Sequence, residues 1–194
     1  MNAVFADVRD FIVAPNETVA RLVSRRRYAP AFFGYGAAAA AIYMWGLISA
    51  PESVTAAGAL LTLAVLFVFY AFKGFVYAAL AHAALSFLGA RGSAAGLFII
   101  MGITEVAAVL LVPLGLIAAA ASLKGVALGG LFYFAMLVLQ FYMLTVFIRQ
   151  SYATSTGRAL TALFTPVALL LGLAFALLAV LIALAIAGVV SLLA

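Results

Sequence analysis

Cysteine is absent from this chain, and histidine and tryptophan occur once each. Without cysteine there is no disulfide, no thiolate metal ligand and no thiol nucleophile. A single histidine, His82, excludes the paired-imidazole spacing of a metal site, and no glycine-rich loop runs into Lys-Ser/Thr to cradle a phosphate. The two aspartates, Asp7 and Asp10, both precede the apolar part of the chain, so a paired-aspartate intramembrane protease is excluded as well. These absences predict a protein that is not an enzyme and holds no cofactor or metal. Charge is equally scarce: 8% of residues are Asp, Glu, Lys or Arg, against 70% hydrophobic, with a mean hydropathy of +1.35. A soluble domain is about a quarter charged and about half apolar, so this composition belongs in lipid.

What is present falls into long apolar runs. One span needs about 20 residues, and 194 residues hold five spans and one short polar segment, leaving no room for a second soluble domain. The predicted fold is an all-α membrane protein, a five-helix transmembrane bundle over 29–194. Residues 1–28 form an amphipathic N-terminal segment, and the spans lie near 30–50, 55–88, 94–121, 126–148 and 160–192. The first run follows Asp7, Asp10 and Glu17 and is much longer than the 7–15-residue core of a signal peptide, so it reads as a retained span. Ala50-Pro51-Glu52-Ser53, the glycine-rich 89–93 with Ser93 as N-cap, Ser122–Gly125 and the polar 149–158 are the expected connections. The run 54–88 measures about 50 Å as a helix, against a hydrocarbon core of about 30 Å. It must tilt, break near Lys73-Gly74 or project. The third span carries Glu105 and Pro113, where a transporter would have it broken, and Pro166 and Gly172 are candidate kinks of the fifth.

The net charge of +5 is arranged for membrane orientation and presents no nucleic-acid-binding face. With the N-terminus in the cytoplasm, the inner segments hold Arg9, Arg21, Arg25, Arg26, Arg27, Arg91, Arg149 and Arg158, while the outer turns hold Lys124 and Glu52. This alternation predicts five spans with the C-terminus outside. Arginine outnumbers lysine eight to two in an alanine-rich chain, which points to a bacterial inner membrane. Within 1–28, Val4, Phe5, Val8, Phe11 and Ile12 recur at helical spacing. Pro15-Asn16-Glu17 restarts the helix with Asn16 as the expected N-cap. Val19, Leu22 and Val23 then oppose Arg21, Arg25, Arg26 and Arg27, a basic amphipathic face that can lie on anionic lipid or cap the inner end of the bundle.

Ionisable groups within spans are costly, about 2.5–3.5 kcal/mol each on insertion scales, and mark candidate sites. They are Lys73, Glu105 and His82, with Gln140 as an uncharged companion. Depth counting leaves two arrangements open: Lys73 pairs with Glu105, or it snorkels alone to an interface. His82 reads as a histidine bonded to backbone or water near the inner interface, with a proton relay as the alternative. Gln140 reads as an interhelical hydrogen-bonding residue. Tyr28, Tyr35, Trp45 and Tyr152 fit interfacial belts. Small residues four apart, such as Gly34/Ala38 and Gly92/Gly96, predict close helix packing and leave a homo-oligomer open.

Four stretches together resemble the Ypt-interacting-protein (Yip) family of five-span membrane proteins. They are FIVAPNETVARLV with its proline restart, AHAALSFLGARGSAAG closing the long second span, the proline-bearing third span, and YATSTGRAL at 152–160 leading into the last. The chain departs from the family at Ala107, near where the third-span proline is often found. The resemblance covers nearly the whole chain and implies the five-span fold and, in eukaryotic members, a role in Rab-linked vesicle traffic. Two functions follow as expectations. One is a non-enzymatic scaffold or adaptor that binds lipids or other membrane proteins. The other is a small transporter, channel or lipid-translocating protein working through Glu105 with Lys73 and Gln140.

Overall fold

The computed structural model describes residues 2–49, 55–120 and 126–193, with side chains described for 3–49, 55–120 and 128–184. The expected turns at 50–54 and 121–125, with Glu52 and Lys124, lie outside the described residues. The elements are α1 (Asn2–Val13), α2 (Pro15–Ser24), α3 (Ala29–Ser49), α4 (Ala56–Phe87), α5 (Ala94–Thr104), a 3₁₀ turn (Glu105–Leu110), α6 (Leu111–Ala120), α7 (Val126–Ser151) and α8 (Thr156–Leu193). Five of the helical stretches are long and apolar enough to cross a membrane: Ala29–Ser49, Ala56–Phe87, Ala94–Ala120, Leu128–Ser151 and Thr156–Leu184. The chain is an integral membrane protein with an all-α bundle.

Local chemistry explains where these helices begin. Thr55 and Ser93 adopt extended backbones, and their hydroxyls accept from Gly58 N and Gly96 N, satisfying donors of the first turn. Asn16 does not cap α2. Pro15 occupies the first helical position, where its fixed φ fits and its missing N–H costs nothing, so Ala14 becomes the cap residue. The last span starts at Thr156, earlier than hydropathy predicts, because Ser155 Oγ accepts from Arg158 N and carries the helix back through polar residues. The fourth runs on to Ser151, where Arg149 meets the negative helix end.

Helix ends follow one pattern. After α4, Gly89 N donates to Ser86 O and Ala90 N to Leu85 O, with Gly89 at φ +77. The same paired bonds close α2 (Arg26 N to Val23 O, Arg27 N to Leu22 O) and α7 (Ala153 N to Gln150 O, Thr154 N to Arg149 O). There the left-handed position holds Arg26 at φ +48 and Ala153 at φ +45. Glycine adopts this conformation freely, whereas a Cβ costs about 1–2 kcal/mol. Ala153→Gly is therefore expected to raise stability by about 0.5–1 kcal/mol after the added entropy of the unfolded chain, and Gly89→Ala to lower it by about 1 kcal/mol. Midpoints of reversible detergent-driven unfolding would read both; no shift in either variant would mean the caps tolerate any residue.

α3 is the central helix, packed on α4, α5, the 3₁₀ turn and α6. Gly34 and Gly102 let α3 and α5 meet backbone to backbone: a Cβ on Gly102 would lie 2.6 Å from Ala31 Cβ. The second span does not break at Lys73-Gly74. α4 runs unbroken, and Gly74 leaves the space that the Tyr35 ring fills. Nor does the third span break at Pro113. The backbone changes earlier, to 3₁₀ geometry at Glu105–Leu110, and runs without interruption into α6; Pro113 lies in the first turn of α6, and the carbonyl four residues back that its ring crowds, that of Val109, belongs to the 3₁₀ stretch. Pro166 sits inside α8, which continues beyond it, and residues 167–184 are exposed all round the helix, an apolar surface that lipid would cover.

The N-terminal helices are part of the bundle. Phe11, Val19 and Leu22 are buried in one core with Leu85, Leu97, Ile100, Phe147 and Ile148, so this segment caps one end of the spans. Asp7 and Asp10 clasp it together. Arg21 Nη2 donates to Asp10 at 2.9 Å and to Asp7 at 3.4 Å, and Arg27 Nη1 donates to Asp7 at 3.1 Å. Arg21, with Arg9 beside it, holds the Asp10 carboxyl below the usual carboxylate range. Two of the four arginines read as a membrane-facing cluster are thus committed to internal ion pairs, while Arg25 and Arg26 stay exposed.

Candidate functional site

Glu105 lies eleven residues past Ala94, the start of α5, and Gln140 lies eleven residues before Ser151, the end of α7. At 1.5 Å per residue both sit about 17 Å from the same end of the bundle, near the middle of a hydrocarbon core about 30 Å thick. Lys73, fourteen residues before Phe87 on α4, is about one turn deeper, and its side chain spans the difference. The three meet. Lys73 Nζ donates to Glu105 Oε1 at 2.7 Å, and Gln140 Nε2 donates to Glu105 Oε2 at 3.2 Å. Each carboxylate oxygen therefore has its own donor, one from α4 and one from α7, two helices that both pack on α5. Of the two arrangements the sequence leaves open, the structure has the paired one.

Burial grades across the cluster. The Glu105 side chain is 12% exposed and that of Lys73 is 42% exposed. Lys73 Nζ also lies 4.3 Å from the centre of the Tyr70 ring, a cation–π contact that replaces part of the ammonium's lost hydration. A cavity of about 40 Å³ adjoins the pair, lined by Tyr70, Tyr133, Met136 and Leu137 besides the three polar residues. Such a space holds a water or two but no larger solute. Tyr70 stands three residues before Lys73, on the same helix face, and that spacing was the available signal for it. Tyr133 carries no such signal, since only the packing of α7 brings it here. Glu105 opens the 3₁₀ turn, whose Ala108 packs on Ala38 and Ala41 of α3.

His82 belongs to a different place. Its Nδ1 and the Tyr152 hydroxyl hydrogen-bond at 2.8 Å, tying α4 to the connection between α7 and α8. The partner of Nδ1 is thus a side chain and not the backbone. Tyr152 is not an interfacial-belt residue: it is 3% exposed, and its ring fills the space that Gly92 leaves open. Tyr35 is fully buried too, and donates to Phe98 O at 3.2 Å. Both hydroxyls find partners inside the bundle, which is why these amphipathic rings need no water. Among the described residues there is no group of His, Cys, Asp and Glu able to hold a metal ion.

Comparison with known proteins finds no matching family model, no similar curated protein and no similar solved structure. The site must be read from its own chemistry. Its three polar side chains neutralise and hydrogen-bond one another across three spans, and that arrangement can do two things. It can fasten the spans together, or it can offer a carboxylate to a proton or small cation that displaces Lys73.

Proposed function

We propose that this protein is a non-enzymatic membrane scaffold or adaptor that binds lipids or other membrane proteins through its surfaces. The observation that carries this reading is the mutual satisfaction of the intramembrane polar groups: Lys73 and Gln140 occupy the two oxygens of Glu105, beside a cavity of about 40 Å³. Polar side chains used this way act as interhelical glue. Support also comes from the N-terminal helices, which build an arginine-bearing cap onto one end of the bundle, and from the resemblance to the Yip family. In this reading the arginine-rich end faces the cytoplasm of a bacterial inner membrane, the C-terminus faces outward, and anionic lipid is a partner.

A specific observation favours a second reading, a small transporter, channel or lipid-translocating protein. The third span loses α-helical geometry at its charged residue, near the membrane midplane, as the discontinuous helices of transporters do. The absence of cysteine makes the choice testable. Ala108→Cys and Leu137→Cys place thiols in the cavity wall without touching the triad. Both are expected to stay unlabelled by a membrane-impermeant thiol reagent applied from either side. Control cysteines at Glu52 and Ser155 are expected to label from opposite sides. Labelling at 108 or 137 would reveal a water path and give the transport reading the lead.

A further inference from the structure

We propose that the cleft between α2 and the end of α7 is a binding site for the phosphate group of an anionic phospholipid. The inference rests on the scaffold reading and names a ligand class for it. The cleft encloses about 230 Å³ and is lined by Val19, Ala20, Val23, Ser24, Gln150 and Ser151. That volume takes a phosphate with several waters, each occupying about 30 Å³. Acyl chains remain in the bilayer beside α7.

The walls divide by chemistry. Val19 belongs to the main core and Val23 packs over Gly96, so the apolar wall is rigid. Opposite it is a polar rim that is largely unspent. Ser24 Oγ spends its proton on Arg21 O at 3.0 Å, whereas among the described residues the side chains of Gln150 and Ser151 make no hydrogen bond and keep their amide and hydroxyl donors for a phosphate.

Charge decides the class of ligand. Arg25 and Arg26 directly follow Ser24, and Arg149 directly precedes Gln150; all three are exposed. Among the described residues none of them is in an ion pair, whereas Arg21 and Arg27 are committed to Asp7 and Asp10. Both α2 and α7 end at the cleft, and each helix C-terminus contributes about half a negative charge. Against these three positive charges stand that sum of about one and the carboxylate of Glu17 in the first turn of α2, so the surroundings of the cleft remain net positive and attract anions.

The test uses the full-length protein in neutral detergent and measures binding of short-chain phosphatidylglycerol, phosphatidylethanolamine and glycerol phosphate by calorimetry. The parent protein is expected to bind phosphatidylglycerol in preference to both others. Replacing Arg25, Arg26 and Arg149 together by Gln is expected to weaken that binding by about a hundredfold, and Arg91→Gln, at the same end, to leave it unchanged. Ala20→Trp fills the cleft without changing charge and is expected to abolish the preference. Gln150→Trp is the second filling variant should the first fail to fold. If filling the cleft leaves binding intact while the arginine variant loses it, the attraction is a diffuse surface effect and the site is overturned. Equal binding of glycerol phosphate or of phosphatidylethanolamine overturns the lipid assignment. None of these outcomes depends on labelling at 108 and 137, so failure of the site and failure of the scaffold reading remain distinguishable.

Discussion

Glu105→Leu is expected to cost about 3 kcal/mol of stability, because it strands two partners at once. Lys73 is left as an ammonium facing hydrocarbon with only the Tyr70 ring beside it, and the Gln140 amide loses its acceptor. Breaking a fully buried pair typically costs about 3–5 kcal/mol; the partial exposure of Lys73 places this one at the lower end. The double variant Lys73→Met with Glu105→Leu removes both charges and is expected to recover most of the loss, because the desolvation of both ions disappears with their attraction. Glu105→Gln should fall between, since it keeps an acceptor for Gln140 and gives up the ion pair. Detergent-driven unfolding of the parent, Lys73→Met, Glu105→Leu and the double variant closes a double-mutant cycle. Additive losses from Lys73→Met and Glu105→Leu would show that the pair contributes no coupling and that the triad is not an interhelical fastener.

The second large effect is steric. Gly34→Leu is expected to destabilise the protein by about 3 kcal/mol or more, or to prevent its accumulation. A Cβ at position 34 would overlap the backbone of Gly102, and a backbone cannot rotate away as a side chain can. Separating α3 from α5 would also loosen Phe98, which packs on Tyr35 and Phe32 and accepts the Tyr35 hydroxyl. Gly46→Ala is the control on the same helix, since nothing lies within 4 Å of a Cβ there. It is expected to be neutral, or stabilising by up to about 1 kcal/mol through helix propensity. If the two variants behave alike, α3 and α5 do not meet at Gly34 in the membrane.

The number of spans, their approximate limits and the amphipathic character of 1–28 were legible in the residue order, because each depends on hydropathy and periodicity over one stretch of chain. Two boundaries were misplaced for a local reason. Ser155 and Arg149 extend the flanking helices through polar residues that hydropathy assigns to a loop. The cap of α2 was misplaced because a proline at the first helical position outranks the asparagine after it. The membership of the polar site was legible too, since ionisable residues within spans are few enough to enumerate.

Which partner each residue takes was not legible. Depth counting left Lys73 either bound to Glu105 or snorkelling. It gave Gln140 a role without a partner, and it placed Tyr35 and Tyr152 at the interface although both are buried. It could not assign Arg21 and Arg27 to Asp7 and Asp10, residues eleven to twenty positions away. By itself the sequence determined that this chain enters a membrane as five helices and which few side chains must find polar company there, because transfer of a segment into lipid depends on its own composition. The tertiary structure alone decided that α4 and α7 both reach Glu105, that α2 is a cap sharing the core of the spans, and that a cleft opens beside Arg25, Arg26 and Arg149. Those outcomes depend on the rotation and separation of helices, which small residues such as Gly34, Gly74 and Gly102 set through contacts between distant parts of the chain.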